Sequence, residues 1–63
     1  MGFKVEVKNF PNIGYYIIKL EDSLYVCYKN KNKEAVFETM KDAQHYCSVK
    51  LKEEVNFYLK KKR

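Results

Sequence analysis

The chain has 63 residues, 46% of them hydrophobic and 16% aromatic, which excludes a disordered chain and allows one small domain. The formal charge is +5, but the last four residues supply +4 of it, so the other 59 residues are nearly neutral (5 − 4 = +1). Two cysteines exclude a disulfide framework, and no run approaches the ~20 apolar residues of a membrane span. We therefore expect a cytoplasmic protein without a signal peptide, with a single domain at 1–59 and a basic tail at 60–63.

Alternating and turn-forming residues predict four strands in chain order. Strict alternation in FKVEVK predicts a half-buried strand over about 3–8, and the Asn, Pro and Gly residues of NFPNIG predict a loop after it. The run YYIIKLEDSLYVCYKN predicts a hairpin with strands over about 15–20 and 24–29. The segment EAVFE predicts a further strand over about 34–38, so the strands form an antiparallel meander.

The register of these strands follows from their apolar positions. A three-residue turn at 21–23 pairs Leu20 with Leu24, and a four-residue turn at 30–33 pairs Tyr28 with Ala35. The second turn also sets Lys29 across from Glu34, an opposite-charge pair. The core face predicted by this register consists of Tyr16, Ile18, Leu20, Leu24, Val26, Tyr28, Ala35 and Phe37.

From Thr39 onward the apolar period becomes helical. Thr39 is a predicted N-cap, and the helix is expected over about 40–60. Its apolar stripe consists of Met40, Ala43, Cys47, Leu51, Val55 and Tyr58. A helix of this length exceeds the sheet beneath it, so three alternatives stay open: it overhangs the sheet, it breaks near residues 48–49, or its far end meets another subunit. The fold class is α+β, a three- to four-stranded antiparallel meander packed on one long C-terminal helix.

The face of the sheet away from the helix is the predicted interaction surface. An apolar centre ringed by aromatic and charged groups is typical of recognition surfaces. The alternatives are plain solvent exposure, common on antiparallel sheets, and cover by the N-terminal segment. The predicted partner-binding residues are Tyr15, Ile17, Tyr25, Cys27 and Val36.

Catalytic and metal chemistry is not expected. His45 and Cys47 would point about 200° apart on a helix, so they cannot share a metal ion or form a nucleophile pair. The two glycines stand in no phosphate-binding spacing. We expect no catalytic residues, no metal site and no cofactor, and therefore not an enzyme.

One segment, FETMKDAQHYC at 37–47, carries a family resemblance, which extends over about residues 15–47. It resembles the arm-type DNA-binding domain of tyrosine recombinases, in which a three-stranded sheet packs on a helix and the open sheet face enters the major groove. It also resembles small uncharacterised proteins of phages and mobile elements of low-GC Gram-positive bacteria. The recombinase resemblance implies that Tyr15, Lys19, Tyr25 and Lys29 face DNA. The chain departs from it by placing Glu34 and Glu38, and no arginine, on that face.

Two functions follow as expectations. The first is a small non-catalytic binding protein, phage- or mobile-element-encoded, that recognises a protein or a second copy of itself through the outer sheet face. The alternative is a nucleic-acid-binding module that uses the same face with the basic tail. Neither function is expected to involve a membrane. Its contact residues would be Lys19, Lys29, Lys60, Lys61, Lys62 and Arg63. Lysine, a point charge, supplies twelve of the thirteen cations, which disfavours base-specific reading.

Overall fold

The computed structural model describes residues 2–61 and confirms the α+β class, a four-stranded antiparallel meander with one long C-terminal helix. The strand order in the sheet is the order along the chain, so each strand pairs with its neighbours in sequence. A short 3-10 turn at Pro11–Ile13 connects the first two strands. The elements are β1 (Gly2–Glu6), β2 (Tyr15–Glu21), β3 (Leu24–Lys29), β4 (Asn32–Phe37) and α1 (Met40–Lys61).

The β2–β3 turn has two residues, and the predicted three-residue turn is wrong. Asp22 and Ser23 form it with φ 51° and 66°, and Glu21 pairs with Leu24 across it. Two consecutive positive φ angles are typical of a type I′ turn, whose twist matches that of the flanking strands. A turn shorter by one residue shifts β3 by one position, so every β3 side chain lies on the face opposite to the one predicted.

The β3–β4 turn is also two residues long, and the predicted four-residue turn is wrong as well. Asn30 and Lys31 occupy it with φ 52° and 71°. Lys29 consequently pairs with Asn32, and the predicted pairing of Lys29 with Glu34 does not form. Asn tolerates the left-handed region better than most residues, which favours the tight turn at this point.

A β-bulge in β4 adjusts the register beyond this turn. Tyr28 pairs with Lys33 and Cys27 with Ala35, so Glu34 is the extra residue. Because of the bulge, Ala35 and Phe37 still reach the helix-facing side, as predicted, where both pack against the buried core.

The core lies between the helix and the inner face of the sheet. Its buried cluster consists of Tyr16, Ile18, Cys27, Ala43, Cys47 and Leu51. Partly buried side chains from β1, the 3-10 turn, β3 and β4 surround it, among them Val5, Ile13 and Tyr25. Tyr16 and Ile18 were predicted core residues, whereas Cys27 replaces Val26 on the inner face because of the shifted register.

The helix begins at a capped end and runs unbroken to Lys61. The backbone N–H of Asp42 donates to the Thr39 hydroxyl at 3.2 Å, so Thr39 is the N-cap as predicted. The stripe buries Ala43, Cys47 and Leu51. Of the three alternatives, a break at 48–49 is wrong, since α1 is continuous there. Near the far end, Tyr58 packs against Phe10 of the β1–β2 loop, whereas Phe57 is 67% exposed.

Candidate interaction surface on the outer sheet face

The structure keeps three of the five predicted partner-binding residues on the outer face and moves two inward. Tyr15, Ile17 and Val36 lie on the outer face, and Tyr15 and Val36 are about 45% exposed. Tyr25 and Cys27 lie on the inner face, and Cys27 is fully buried. The prediction that these two face outward is wrong, because the two-residue turn shifts β3 by one position.

Val26 is the centre of the outer face, a role that the sequence pattern did not assign to it. It is only 3% exposed, yet it does not belong to the core cluster under the helix. The register places Lys19 on one side of it and Val36 on the other, while Leu24 and Tyr28 are its same-face neighbours along β3. Side chains of the outer face itself therefore bury Val26, and they form a second, small apolar layer.

The Tyr28 ring is the aromatic part of this layer. Its hydroxyl donates to both carboxylate oxygens of Glu21 at 2.9 Å, although Glu21 pairs with Leu24 at the other end of the hairpin. The ring must therefore lie along the sheet past Val26, and the Lys19 ammonium lies 5.2 Å from the ring centroid. The hydrogen bond to Glu21 and burial raise the pKa of Tyr28, so its hydroxyl remains a donor at neutral pH.

A shallow cavity of 480 Å³ adjoins the layer near the start of β2 and the end of β3. Its lining consists of Tyr15, Ile17, Lys19, Tyr28, Asn30 and Lys31. Lys4 lies over the Tyr15 ring at 4.6 Å and forms an ion pair with Glu6 at 3.6 Å. Each tyrosine ring of this cavity thus has a lysine over it.

Among residues 2–61, the helix and the β1–β2 loop lie on the inner side of the sheet, away from the outer face. The 3-10 turn contacts α1, and Phe10, which precedes it, packs edge-on against Tyr58 of the helix at 6.0 Å. Ile13 packs against the core cluster as well. The loop between β1 and β2 therefore lies on the inner side, so cover of the outer face by the N-terminal loop, one of the predicted alternatives, is wrong for residues 10–13.

The predicted nucleic-acid contacts separate into three groups. Lys19 lies on the outer face, as expected. Lys29 is turned inward, where its ammonium forms an ion pair with Glu54 of the helix at 2.5 Å and its side chain is 12% exposed. Its placement on the outer face is wrong because of the same one-residue shift. Lys60 and Lys61 end the helix, and the predicted contacts Lys62 and Arg63 lie outside the described residues.

Polar contacts at the margin of the core, part-buried or exposed, connect the helix to the sheet. The bulge residue Glu34 accepts a hydrogen bond from the Tyr16 hydroxyl at 2.8 Å and one from the Tyr46 hydroxyl at 3.4 Å. Burial, followed by this hydrogen bond, raises the pKa of Tyr16 far above its usual range. Together with the pair between Lys29 and Glu54, these contacts connect β2, β3 and β4 to α1.

The two cysteines meet in the core. The Cys27 thiol lies 3.8 Å from the Ala43 carbonyl oxygen, to which it donates. Burial, with a hydrogen bond between the two thiols, raises the pKa of Cys47 to about 12. Burial raises the pKa of Cys27 as well. Both groups are therefore protonated at neutral pH and poor nucleophiles, and they act as small core side chains.

Residues 2–61 contain no group of three or more histidine, cysteine, aspartate or glutamate side chains arranged to hold a metal ion. His45 is exposed on the helix, while Cys47 lies on its buried side, as their spacing indicates. Within the same described part of the chain, no helix combines the length and apolar character needed to cross a membrane.

Comparisons with known proteins found no matching family model, no matching curated protein and no matching solved structure.

Sequence reasoning missed Val26, Tyr28 and Leu24 as outer-face residues. The strand β3 is apolar or aromatic at nearly every position, so alternation alone does not distinguish its two faces. The available signal was the pair of turns, Asp22-Ser23 and Asn30-Lys31, because Asp and Asn at the first position suit type I′ geometry.

Proposed function

We propose that the chain is a non-catalytic binding protein whose recognition surface is the outer sheet face. One observation carries the proposal: Val26 is buried by outer-face side chains, although helix and loop both pack on the other side. No helix or loop among residues 2–61 packs on the cluster of Ile17, Val26, Tyr28 and Val36, in which Val36 is 44% exposed and Val26 is buried beneath its neighbours. Uncovered apolar groups with an aromatic residue among them are typical of contact surfaces.

The chemistry of the rim favours a partner protein. On the β1–β2 side of the centre lie Lys4, Glu6, Lys19 and Glu21, two charges of each sign, and Lys31 and Lys33 add positive charge at the β3–β4 end. Charges of both signs beside an apolar centre suit a partner with its own apolar patch flanked by both signs of charge, since complementary charges fix register and exclude wrong partners. The two glutamates would repel a polyanion and the lysines would attract it, so nucleic acid is the second candidate.

The test is a pair of matched valine substitutions. Val36→Lys places a charge in the outer cluster, whereas Val49→Lys changes a similarly exposed valine on the helix, 39% against 44%. A protein that is captured by the parent chain is purified and titrated against each variant. We expect Val36→Lys to weaken binding at least about tenfold and Val49→Lys to leave it unchanged. Equal affinity of the purified partner for all three chains would contradict an outer-face site.

Nucleic acid is the second candidate, and the cavity beside Tyr15 and Tyr28 favours it. Two aromatic rings with lysines over them offer stacking and phosphate contacts to a single strand. This function predicts binding of a labelled single-stranded oligonucleotide at about 50 mM salt, with an affinity that falls steeply as salt rises. Lys19→Glu should then weaken binding, and absence of any complex at low salt would eliminate this candidate.

We also propose that the protein resides in a reducing compartment such as the cytoplasm. Cys27 and Cys47 are free, buried and in contact, which suits a compartment that keeps thiols reduced. The phage or mobile-element origin implied by the resemblance at 37–47 is part of the proposal too, and the neighbouring genes test it.

A further inference from the structure

The two edges of the sheet differ in how they are protected from pairing. The edge strand β4 carries a bulge at Glu34 and lysines at positions 31 and 33 close by, devices that discourage pairing with another strand. The edge strand β1 has five consecutive paired positions along β2 without a register shift. It also exposes Phe3, an apolar side chain, to 47%. The β1 edge is therefore open for a further strand.

The backbone groups that β1 presents to solvent follow from the hairpin. A two-residue turn makes Glu21 and Leu24 a hydrogen-bonded pair, so alternate β2 residues direct their N–H and C=O groups toward β1, beginning at Leu20. Phe3 and Val5 lie opposite Ile18 and Tyr16, so their own N–H and C=O groups form hydrogen bonds with these groups of β2. Their neighbours Gly2, Lys4 and Glu6 therefore direct their own N–H and C=O groups outward.

We propose that β1 pairs antiparallel with β1 of a second copy of this chain, with Val5 on the two-fold axis. The charges of Lys4 and Glu6, whose backbone groups point outward, restrict the registers in which two β1 strands can pair. Centring the pair on Lys4 would oppose Lys4 to Lys4, and centring it on Glu6 would oppose Glu6 to Glu6, both destabilising. Centring it on Val5 places Lys4 opposite Glu6 of the second copy, and the symmetry creates this pair twice.

The same register completes the inner, apolar layer. Phe3 would lie opposite Val7 of the second copy, the residue that follows β1. Phe3 is on the helix-facing side by its pairing with Ile18, and Val7 packs against the core cluster. A cavity of 300 Å³ opens beside this strand between β1 and the helix, lined by Val5, Val7, Leu51 and Val55 with three polar residues. The exposed Phe3 ring of the second copy would lie at the mouth of this cavity, so burial of apolar surface accompanies the ion pairs.

The pairing would join two four-stranded sheets into one eight-stranded sheet with two outer faces side by side. This inference does not rest on the proposed function, because it uses the backbone edge of β1, although Lys4 and Glu6 of this strand also lie at the rim of the outer cluster. If both hold, the dimer would bind bivalently through a single continuous surface.

The experiment is a charge swap measured by sedimentation equilibrium from about 1 µM to about 1 mM, where small interfaces associate. The parent should approach twice the mass of one 7.6 kDa chain as concentration rises. Lys4→Glu and Glu6→Lys, each alone, oppose like charges twice per dimer and should raise the dissociation constant about 30-fold. The double variant Lys4→Glu/Glu6→Lys restores opposite charges and should recover most of the parent's association.

A backbone variant provides the second measurement. Lys4→Pro removes an N–H that points to solvent, so the monomer should keep its fold by circular dichroism while the dimer is lost. A parent that stays monomeric at about 1 mM would overturn the inference. So would a dimer that resists both single charge reversals but dissociates on Ile17→Lys, since the second copy would then lie on the outer face.

Discussion

Lys31→Gly tests the hairpin register on which the candidate surface depends. Lys31 is the second residue of the β3–β4 turn and has φ 71°. The left-handed conformation costs an L-residue about 1–2 kcal/mol, a cost that glycine avoids. Glycine loses more conformational freedom on folding, which offsets about 0.5–1 kcal/mol of that gain. The Asn-Gly pair favoured in type I′ turns should therefore stabilise the protein by about 0.5 kcal/mol.

The assay is thermal unfolding monitored by circular dichroism, with Lys33→Gly as the control. For a domain of this size, about 0.5 kcal/mol corresponds to a Tm increase of about 2–4 °C. Lys33 lies inside β4 and is not among the residues with positive φ, so glycine there should lower Tm by a similar amount. A four-residue turn at 30–33 would reverse the two Tm changes, because its left-handed residue would be the last one, Lys33. If Lys31→Gly lowers Tm and Lys33→Gly raises it, the two-residue turn and the outer-face assignment of β3 are both wrong.

Three further predictions concern the core. Tyr16→Phe removes the 2.8 Å hydrogen bond to Glu34 and should cost about 1 kcal/mol in urea unfolding; an unchanged midpoint would mean that water replaces the bond at no cost. The pKa of Cys47 is raised to about 12 from the ordinary 9.0. The contribution of this thiol to stability is therefore complete below pH 9 and is lost as pH rises toward 12, by about 1.4 kcal/mol per pH unit. Cys47→Ala should make that decline measurably shallower. Leu51→Ala should cost about 2–5 kcal/mol because Leu51 is buried, whereas Phe57→Ala should stay within about 0.5 kcal/mol of the parent because Phe57 is exposed. Equal losses would mean that the Phe57 side of the helix is covered.

Lys29 shows what the apolar pattern of β3 does not indicate. The register predicted from the apolar positions took Leu24, Val26 and Tyr28 as the core face, which placed Lys29 outward together with Tyr25 and Cys27. In the structure the Lys29 ammonium lies 5.2 Å from the Tyr16 ring centroid and pairs with Glu54. Its long side chain can cross apolar surface and still reach a charge on the helix. That charge is 25 residues away in sequence, so no local pattern identifies it.

The choice between the faces of β3 also depends on volume. Cys27 lies against Ala43 and Cys47 of the helix, and each of these three small side chains is fully buried. Small residues on both sides allow the helix to approach the sheet closely, whereas Val26 and Tyr28 would need more room there. The stripe of α1 contains the small residues in the sequence, but only the packed structure shows that their partner is Cys27.

By itself, the sequence determined the elements of this protein. Alternation, turn residues and the helical stripe locate four strands and one helix, and Thr39 marks the start of the helix, because these signals act over a few neighbouring residues. Only the tertiary structure decided which face of β3 meets the core. Two type I′ turns, a bulge at Glu34 and a helix-borne partner for Lys29 act together there. A one-residue slip keeps the local pattern almost unchanged but exchanges the two faces, so the energy that distinguishes them lies in contacts between distant segments.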